Sequence, residues 1–183
     1  EAKSLIPATL ADINRVNVPA ANGLHARVAL YMRDWATAET QASAFIAAVP
    51  LATIAEFPGI WTDANTKEQA LRLIRTASVG GRIGSLWRGI TAQGQIGTIT
   101  WGPTGKLWDS YDKVNDVRFS TYLVDEPILA TANRPSRLIK KYAGTGYGTA
   151  NENVNNAKVI RTAEMVLIRA EARAELGRFT GAN

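Results

Sequence analysis

Lys158-Val-Ile-Arg-Thr-Ala-Glu-Met-Val-Leu-Ile-Arg-Ala-Glu-Ala-Arg-Ala-Glu-Leu-Gly177 carries the strongest helical periodicity in this chain. At about 100° per residue, Val159, Ile160, Ala163, Val166, Leu167, Ala170 and Ala174 fall on one stripe, and Met165, Ile168 and Ala172 fall on the opposite side. Two charged ridges separate these faces: Glu164, Glu171 and Glu175 on one flank, Lys158, Arg169 and Arg173 on the other. A surface helix shows a single apolar stripe, whereas a helix apolar on two sides is enclosed from both. Arg169 with Arg173, and Glu171 with Glu175, are like-charge pairs four residues apart, which weaken an isolated helix. The ridges therefore read as built to meet charges on neighbours. Two placements satisfy this pattern: a buried helix of an ordinary all-α domain, or the middle layer of a helical stack, which the double face favours.

Residues 20–48 read as a helical hairpin. Leu24, Val28, Tyr31, Met32 and Trp35 form the stripe of its first helix, and Ala38, Ala42, Phe45 and Ile46 repeat at helical spacing in its second. Asp34 is placed to cap the second helix, and Pro50 ends it. The tetratricopeptide pattern asks for small residues where two helices cross closely, a large residue later in the second helix, and a closing proline. Ala26, Ala38, Phe45 and Pro50 meet that spacing, while Asn22 stands where the pattern has a tryptophan. A shift of 144 residues lays Ala26 on Ala170 and Asp34-Trp35 on Arg178-Phe179. The closing helix then reads as the first half of a second hairpin. On that reading Phe179 packs at the turn as Trp35 does, and with the second half of the hairpin missing one face of the closing helix is partly exposed or covered by another molecule. Leu167 reports whether the broad stripe is buried or faces solvent.

The middle, residues 51–156, is less regular. Gln69–Ala77 and Gln95–Trp101 alternate as short strands do. Gly80, Gly81, Gly84, Gly89, Gly94, Gly97, Gly102 and Gly105 mark loops. Lys106–Tyr122 reads as a short helix followed by an extended piece, and Ala143–Asn156 as a surface loop. The organisation is thus 8–50 a tetratricopeptide-like hairpin, 51–156 an irregular region of the ligand-binding type, and 157–183 half of a second hairpin. The fold class is mainly α, an α-α superhelix with a loop-rich middle containing short strands.

Chemistry for a reaction is sparse. In 183 residues there is no cysteine and a single histidine, His25. Thiolate metal sites, cysteine nucleophiles and a Ser-His triad are out of reach; no cofactor or metal site is assigned, and an enzyme is the least supported reading. Asp109, Asp112 and Asp116 share a spacing that suits one helix face, but they lack the glycine and closing Glu of a calcium loop. Pairing with Lys113 or Arg118 explains them better. Gly80-Gly81-x-x-Gly84 lacks the Lys-Ser/Thr of a phosphate loop. The net charge of +5 comes in blocks. Arg72, Arg75, Arg82 and Arg88 form one, Arg134, Arg137, Lys140 and Lys141 another, and Asp109, Asp112, Asp116, Asp125 and Glu126 lie between. Alternation of this kind suits internal pairing rather than nucleic acid. No apolar run is long enough to cross a bilayer.

The tryptophans are more suggestive. Trp61, Trp87, Trp101 and Trp108 all lie in the irregular middle. An indole offers a flat apolar face and one N–H donor, which suits the apolar face of a sugar ring. Trp87, Trp101 and Trp108 are the candidate ligand-binding residues. For each of them core or loop-anchoring material is the first reading and ligand contact the second.

Arg161-Thr-Ala-Glu-Met-Val-Leu-Ile-Arg-Ala-Glu-Ala172 resembles the late signature of the SusD/RagB family of outer-membrane nutrient-binding lipoproteins. Ala26-Arg-Val-Ala-Leu-Tyr-Met-Arg-Asp-Trp-Ala-Thr-Ala38 resembles the family's tetratricopeptide-like hairpin, Asp116-Val-Arg118-Phe119 its Asp-x-Arg element, and Lys140-Lys-Tyr142 its basic-aromatic step. The matches occur in the family's order. The resemblance implies a helical scaffold carrying an irregular region that binds oligosaccharides or, in some members, peptides. It also implies a lipid anchor on the outer surface of the outer membrane in Bacteroidetes-type bacteria, a SusC-like TonB-dependent transporter as partner, and no catalysis. The anchoring cysteine and the flanking helices of the family are absent from this sequence, so the chain reads as an internal portion of a longer protein. A tetratricopeptide scaffold that binds peptides or proteins is the alternative.

Overall fold

A strand precedes the closing helix where the sequence pattern had placed its first turn. The structure, a computed structural model, describes residues 2–9, 12–78, 82–87, 101–127, 136–146 and 149–179. It divides into two units, one made of residues 1–52, 67–73 and 158–183, the other of residues 53–66 and 74–157.

The first unit is helical. Helix α1 (Val18–Tyr31) starts at Asn17, whose side chain accepts from the Ala20 N–H, and Pro19 sits in its first turn, where a missing N–H costs nothing. Asn17 is buried, and its amide also donates to the Ala70 carbonyl at 2.9 Å. Helix α2 (Trp35–Ala48) is capped by Asp34, which accepts from the Thr37 N–H, as the sequence indicates. Strand β1 (Gln69–Leu73) pairs with β4 (Ala157–Arg161), and α6 (Thr162–Glu175) follows directly. Val159 and Ile160 are β-branched and suit that strand.

Small residues let α1 and α2 approach closely. Ala20, Gly23, Ala26 and Ala29 are buried on α1, and Ala38, Ala42 and Phe45 on α2. A Cβ at Gly23 would lie 2.6 Å from the Ile160 side chain and 2.9 Å from the Phe45 ring, so nothing larger than hydrogen fits. This reverses the expected orientation of α1. Its large residues Leu24, Val28, Tyr31 and Met32 are exposed, because close helix crossing takes the alanine face.

Helix α6 turns its narrower face inward. Met165, Ile168 and Ala172 are buried in the same core as Ala26, Ala42 and Phe45. The broader stripe is open: Leu167 is 71% exposed, and Ala170 and Ala174 are exposed too. Phe179 is 76% exposed and does not pack as the half-buried Trp35 does, because no second helix of that hairpin lies among the described residues to receive it. One residue of each charged ridge meets a partner on a neighbouring helix. Glu164 takes a two-pronged ion pair from Arg27 at 2.6 and 2.7 Å, and Glu39 takes Arg173 at 2.8 Å together with Arg178.

The 144-residue shift holds in three dimensions. It carries Val18–Tyr31 onto Thr162–Glu175, helix onto helix with the same length. Both end in a Schellman closure. At α1, Arg33 N–H bonds Leu30 O and Asp34 N–H bonds Ala29 O. At α6, Gly177 N–H bonds Ala174 O and Arg178 N–H bonds Arg173 O. Under the same shift, exposed Leu24 and Val28 correspond to buried Ile168 and Ala172.

The second unit is built from short pieces: α3 (Phe57–Trp61), α4 (Gly105–Asp109), α5 (Val117–Tyr122), and an antiparallel pair, β2 (Leu123–Asp125) with β3 (Arg137–Ile139). Thr53 and Glu56 cap each other's N–H groups before α3, a reciprocal box. The expected extended piece after Lys106 is instead a second short helix, α5, capped by Asp116. The segment read as a surface loop, Ala143–Asn156, includes buried Glu152, Asn153 and Asn155. Asn155 donates to the Trp61 carbonyl at 2.7 Å, so its amide replaces a ladder hydrogen bond in this irregular core. The strand expected at Gln95–Trp101 lies outside the described residues apart from Trp101, which is not in a strand. Gly80 and Gly81 also lie outside them.

Candidate functional site

The second unit is organised around one enclosed tryptophan. Trp61, at the end of α3, is 2% exposed and meets Tyr122 and Tyr142 edge-to-face, at centroid distances of 5.3 and 5.0 Å. Phe57 closes a third side at 6.2 Å. The Lys141 ammonium sits 4.5 Å from the Trp61 centroid and 4.7 Å from that of Tyr122, a cation held against two negative ring faces. Tyr142 adopts a left-handed backbone, φ 65°. Gly144, two residues on, also has positive φ, and a Cβ there would lie 2.2 Å from the Val154 carbonyl oxygen. Lys140-Lys-Tyr142 thus works as an internal staple. The only signal for this in the sequence was the basic-aromatic step itself.

The three candidate tryptophans lie in this same unit. Trp87 is half-buried and tilts against Tyr142 at 6.0 Å, and its carbonyl accepts from the Trp101 N–H at 3.3 Å. Trp101 is 62% exposed. Trp108, on α4, is half-buried, edge-to-face with Phe119 at 4.9 Å, and carries the Arg137 guanidinium 5.5 Å from its ring centroid. Trp87 and Trp108 are therefore anchored by other rings, while Trp101 offers its surface to solvent. Sequence reasoning did not single out Arg137 at this place, because only folding brings β3 beneath the 101–108 segment.

The acidic residues are engaged locally. Asp109 pairs with Lys113 at 3.1 Å, and Asp116 pairs with Arg118 at 2.6 Å. The Arg118 guanidinium holds the Asp116 carboxyl below the usual carboxylate range. Hydrogen bonds from Asn115, side chain first and then backbone, do the same for Asp112. His25 is exposed on α1. Among the described residues no group of acidic or histidine side chains is arranged to hold a metal ion, and no helix is long and apolar enough to cross a membrane.

Two concavities stand out. A cleft of about 60 Å³ lies between Pro58, Trp61, Thr121, Lys140 and Ala143. A groove of about 250 Å³ runs along the open face of α6, lined by Val166, Arg169, Ala170, Arg173, Arg178 and Phe179. The larger lies in the first unit and contains none of the candidate tryptophans.

The late signature is explained by the scaffold. Arg161 pairs with Glu68 at 2.6 Å, with the Glu68 side chain only 3% exposed. The Thr162 hydroxyl donates to the Val49 carbonyl at 2.6 Å, and its N–H donates to the Glu68 carbonyl. Glu164 holds Arg27. These residues tie α6 to α1, to the cap of α2 at Val49 and to Glu68 just before β1.

No family model matches the chain, and no curated protein is similar enough to match. Solved structures do. A SusD superfamily protein from Bacteroides thetaiotaomicron superposes with a TM-score of 0.75 at 21% identity, over 97% of this chain and 41% of its own. A SusD-like carbohydrate binding protein from Bacteroides vulgatus gives 0.72 at 21% identity, over 97% and 38%. Surface glycan-binding protein A from Bacteroides thetaiotaomicron gives 0.71 at 14% identity, over 97% and 47%. The chain has the fold of the SusD superfamily, mainly α and tetratricopeptide-like, and spans about two fifths of the length of the first two of these structures.

Proposed function

We propose that this chain belongs to a non-catalytic subunit that binds oligosaccharides at the cell surface, and that the irregular second unit faces the ligand. The observation that carries this reading is Trp101, a large apolar ring left 62% exposed beside the anchored Trp87. Core tryptophans are enclosed, as Trp61 is; an indole kept in solvent on a braced segment suits stacking on a sugar. The fold likeness to a surface glycan-binding protein supports the same reading. Trp87 and Trp108 act as braces and lateral contacts. On this reading the full-length protein is lipid-anchored on the outer surface of the outer membrane and passes its ligand to a SusC-like TonB-dependent transporter.

Isothermal titration of the full-length protein against a panel of oligosaccharides tests this. Saturable binding weakened by Trp101→Ala supports it. Turnover of any panel sugar would sink the non-catalytic part.

The groove along α6 favours a second reading, a scaffold that binds peptides. Peptide binding indifferent to Trp101→Ala and lost on filling the groove, for example with Ala170→Trp, would establish it instead.

A further inference from the structure

We propose that Arg137 makes this site selective for acidic sugars, by reading a carboxylate or sulfate ester on an oligosaccharide held at Trp101. The inference rests on the glycan-binding reading. Arg137 opens β3, and its half-buried guanidinium lies over the Trp108 ring, 5.5 Å from the centroid. The segment between Trp101 and Trp108 is shaped around it. A Cβ at Gly102 would lie 3.1 Å from the Arg137 carbonyl oxygen, and one at Gly105 would lie 3.1 Å from a terminal guanidinium nitrogen. Two glycines therefore give the arginine its room, and Trp101 adjoins the first of them.

Among the described residues this guanidinium has no carboxylate partner and makes no hydrogen bond. Its cross-strand neighbour Asp125 is in register but exposed, and the two form no ion pair. The nearby Asp109 is occupied by Lys113. Lys106, exposed on the same turn as Gly105, adds a second positive charge. A planar guanidinium carries five donors in a fixed fork that matches carboxylate and sulfate oxygens in pairs. Resting on an indole orients that fork and leaves its in-plane N–H groups available. A positively charged fork on the Trp108 ring, on a short segment that begins at the exposed Trp101, fits a sugar that presents both an apolar face and an anionic group.

The test compares an oligogalacturonate with its fully methyl-esterified form and with a sulfated neutral oligosaccharide of the same length, by titration against the full-length protein. The ester keeps the rings and removes the charge. Preference for the acid or the sulfate over the ester by about tenfold or more is expected, and whichever anion binds better identifies the source. In Arg137→Gln the ratio should fall to near one, and in Arg137→Lys to an intermediate value, since the charge stays and the fork is lost. Should Arg137→Gln fail to fold, salt decides with the unaltered protein: raising ionic strength from 0.05 to 0.5 M must weaken the anionic ligand and spare the ester. A ratio near one in the unaltered protein, or one that persists in Arg137→Gln, overturns the inference while leaving glycan binding in place. Binding of none of the three, nor of any neutral oligosaccharide, overturns both.

Discussion

Arg33 and Gly177 occupy the same structural position in two helices 144 residues apart. Each stands one residue beyond a helix cap in the left-handed region, with φ of 58° and 69°, and each donates its N–H three residues back. Glycine adopts this conformation freely, whereas a residue with a Cβ is strained there. Arg33 is exposed, and among the described residues it forms no ion pair. Arg33→Gly should therefore stabilise the protein by about 0.5–1 kcal/mol, and Gly177→Ala should cost about 1 kcal/mol. A Cβ at Gly177 would meet nothing within 4 Å, so the second effect is purely one of backbone. Chemical denaturation of the two variants checks both signs.

Helix α6 separates burial from hydrophobicity. Ile168 is 4% exposed and Leu167, one residue before it, is 71% exposed. Ile168→Ala should cost about 2–5 kcal/mol, and Leu167→Ala less than about 1 kcal/mol. Equal costs would mean that the open face of α6 is covered in solution.

The hairpin was legible in the sequence because its signals are local. Asp34 caps, small residues cross at Ala26 and Ala38, and the proline follows. The orientation of α1 was not legible. A stripe of Leu24, Val28, Tyr31 and Met32 has the period of a buried face, and periodicity cannot distinguish a face that meets the partner helix from one meant for a neighbouring layer. The 144-residue repeat resolves this, since Leu24 and Val28 fall on Ile168 and Ala172, which α6 buries. The second unit was legible mainly in its glycines and tryptophans. Its core depends on long-range partners such as Asn155 with Trp61 and Lys141 with Tyr122, which leave no periodic trace.

The pair between Arg161 and Glu68 ties the signature segment to β1, and Glu68 also accepts from the Ala52 N–H at 3.1 Å. Removing one member of a largely buried pair strands the other. Glu68→Ala should cost about 3–5 kcal/mol, and Arg161→Lys should recover only part of what Arg161→Ala loses. Denaturation midpoints of the three variants measure this.

Glu39 gives the scaffold a pH dependence. The hydrogen bond from Arg173, helped by the charge of Arg178, holds its carboxyl below the ordinary carboxylate range. A carboxyl whose folded pKa is depressed contributes stability that is complete above its unfolded pKa and is lost as pH falls through the folded one. Melting temperature should therefore fall more steeply below about pH 4.5 in the unaltered protein than in Glu39→Gln. Parallel curves for the two proteins would show that the pair contributes nothing to folding.

Trp61 and Trp101 should divide structure from binding. Trp61 is enclosed by two tyrosines and a lysine, so Trp61→Ala leaves a cavity and should cost about 3–5 kcal/mol. Trp101 keeps most of its surface in solvent, and Trp101→Ala should change stability by less than about 1 kcal/mol. Its effect belongs to the ligand: loss of a stacked ring should weaken oligosaccharide binding about tenfold. Measuring thermal stability and titration on the same samples separates the two residues. If Trp101→Ala melts early and binds sugar normally, the exposed indole is a fold element and the ligand sits elsewhere on the second unit.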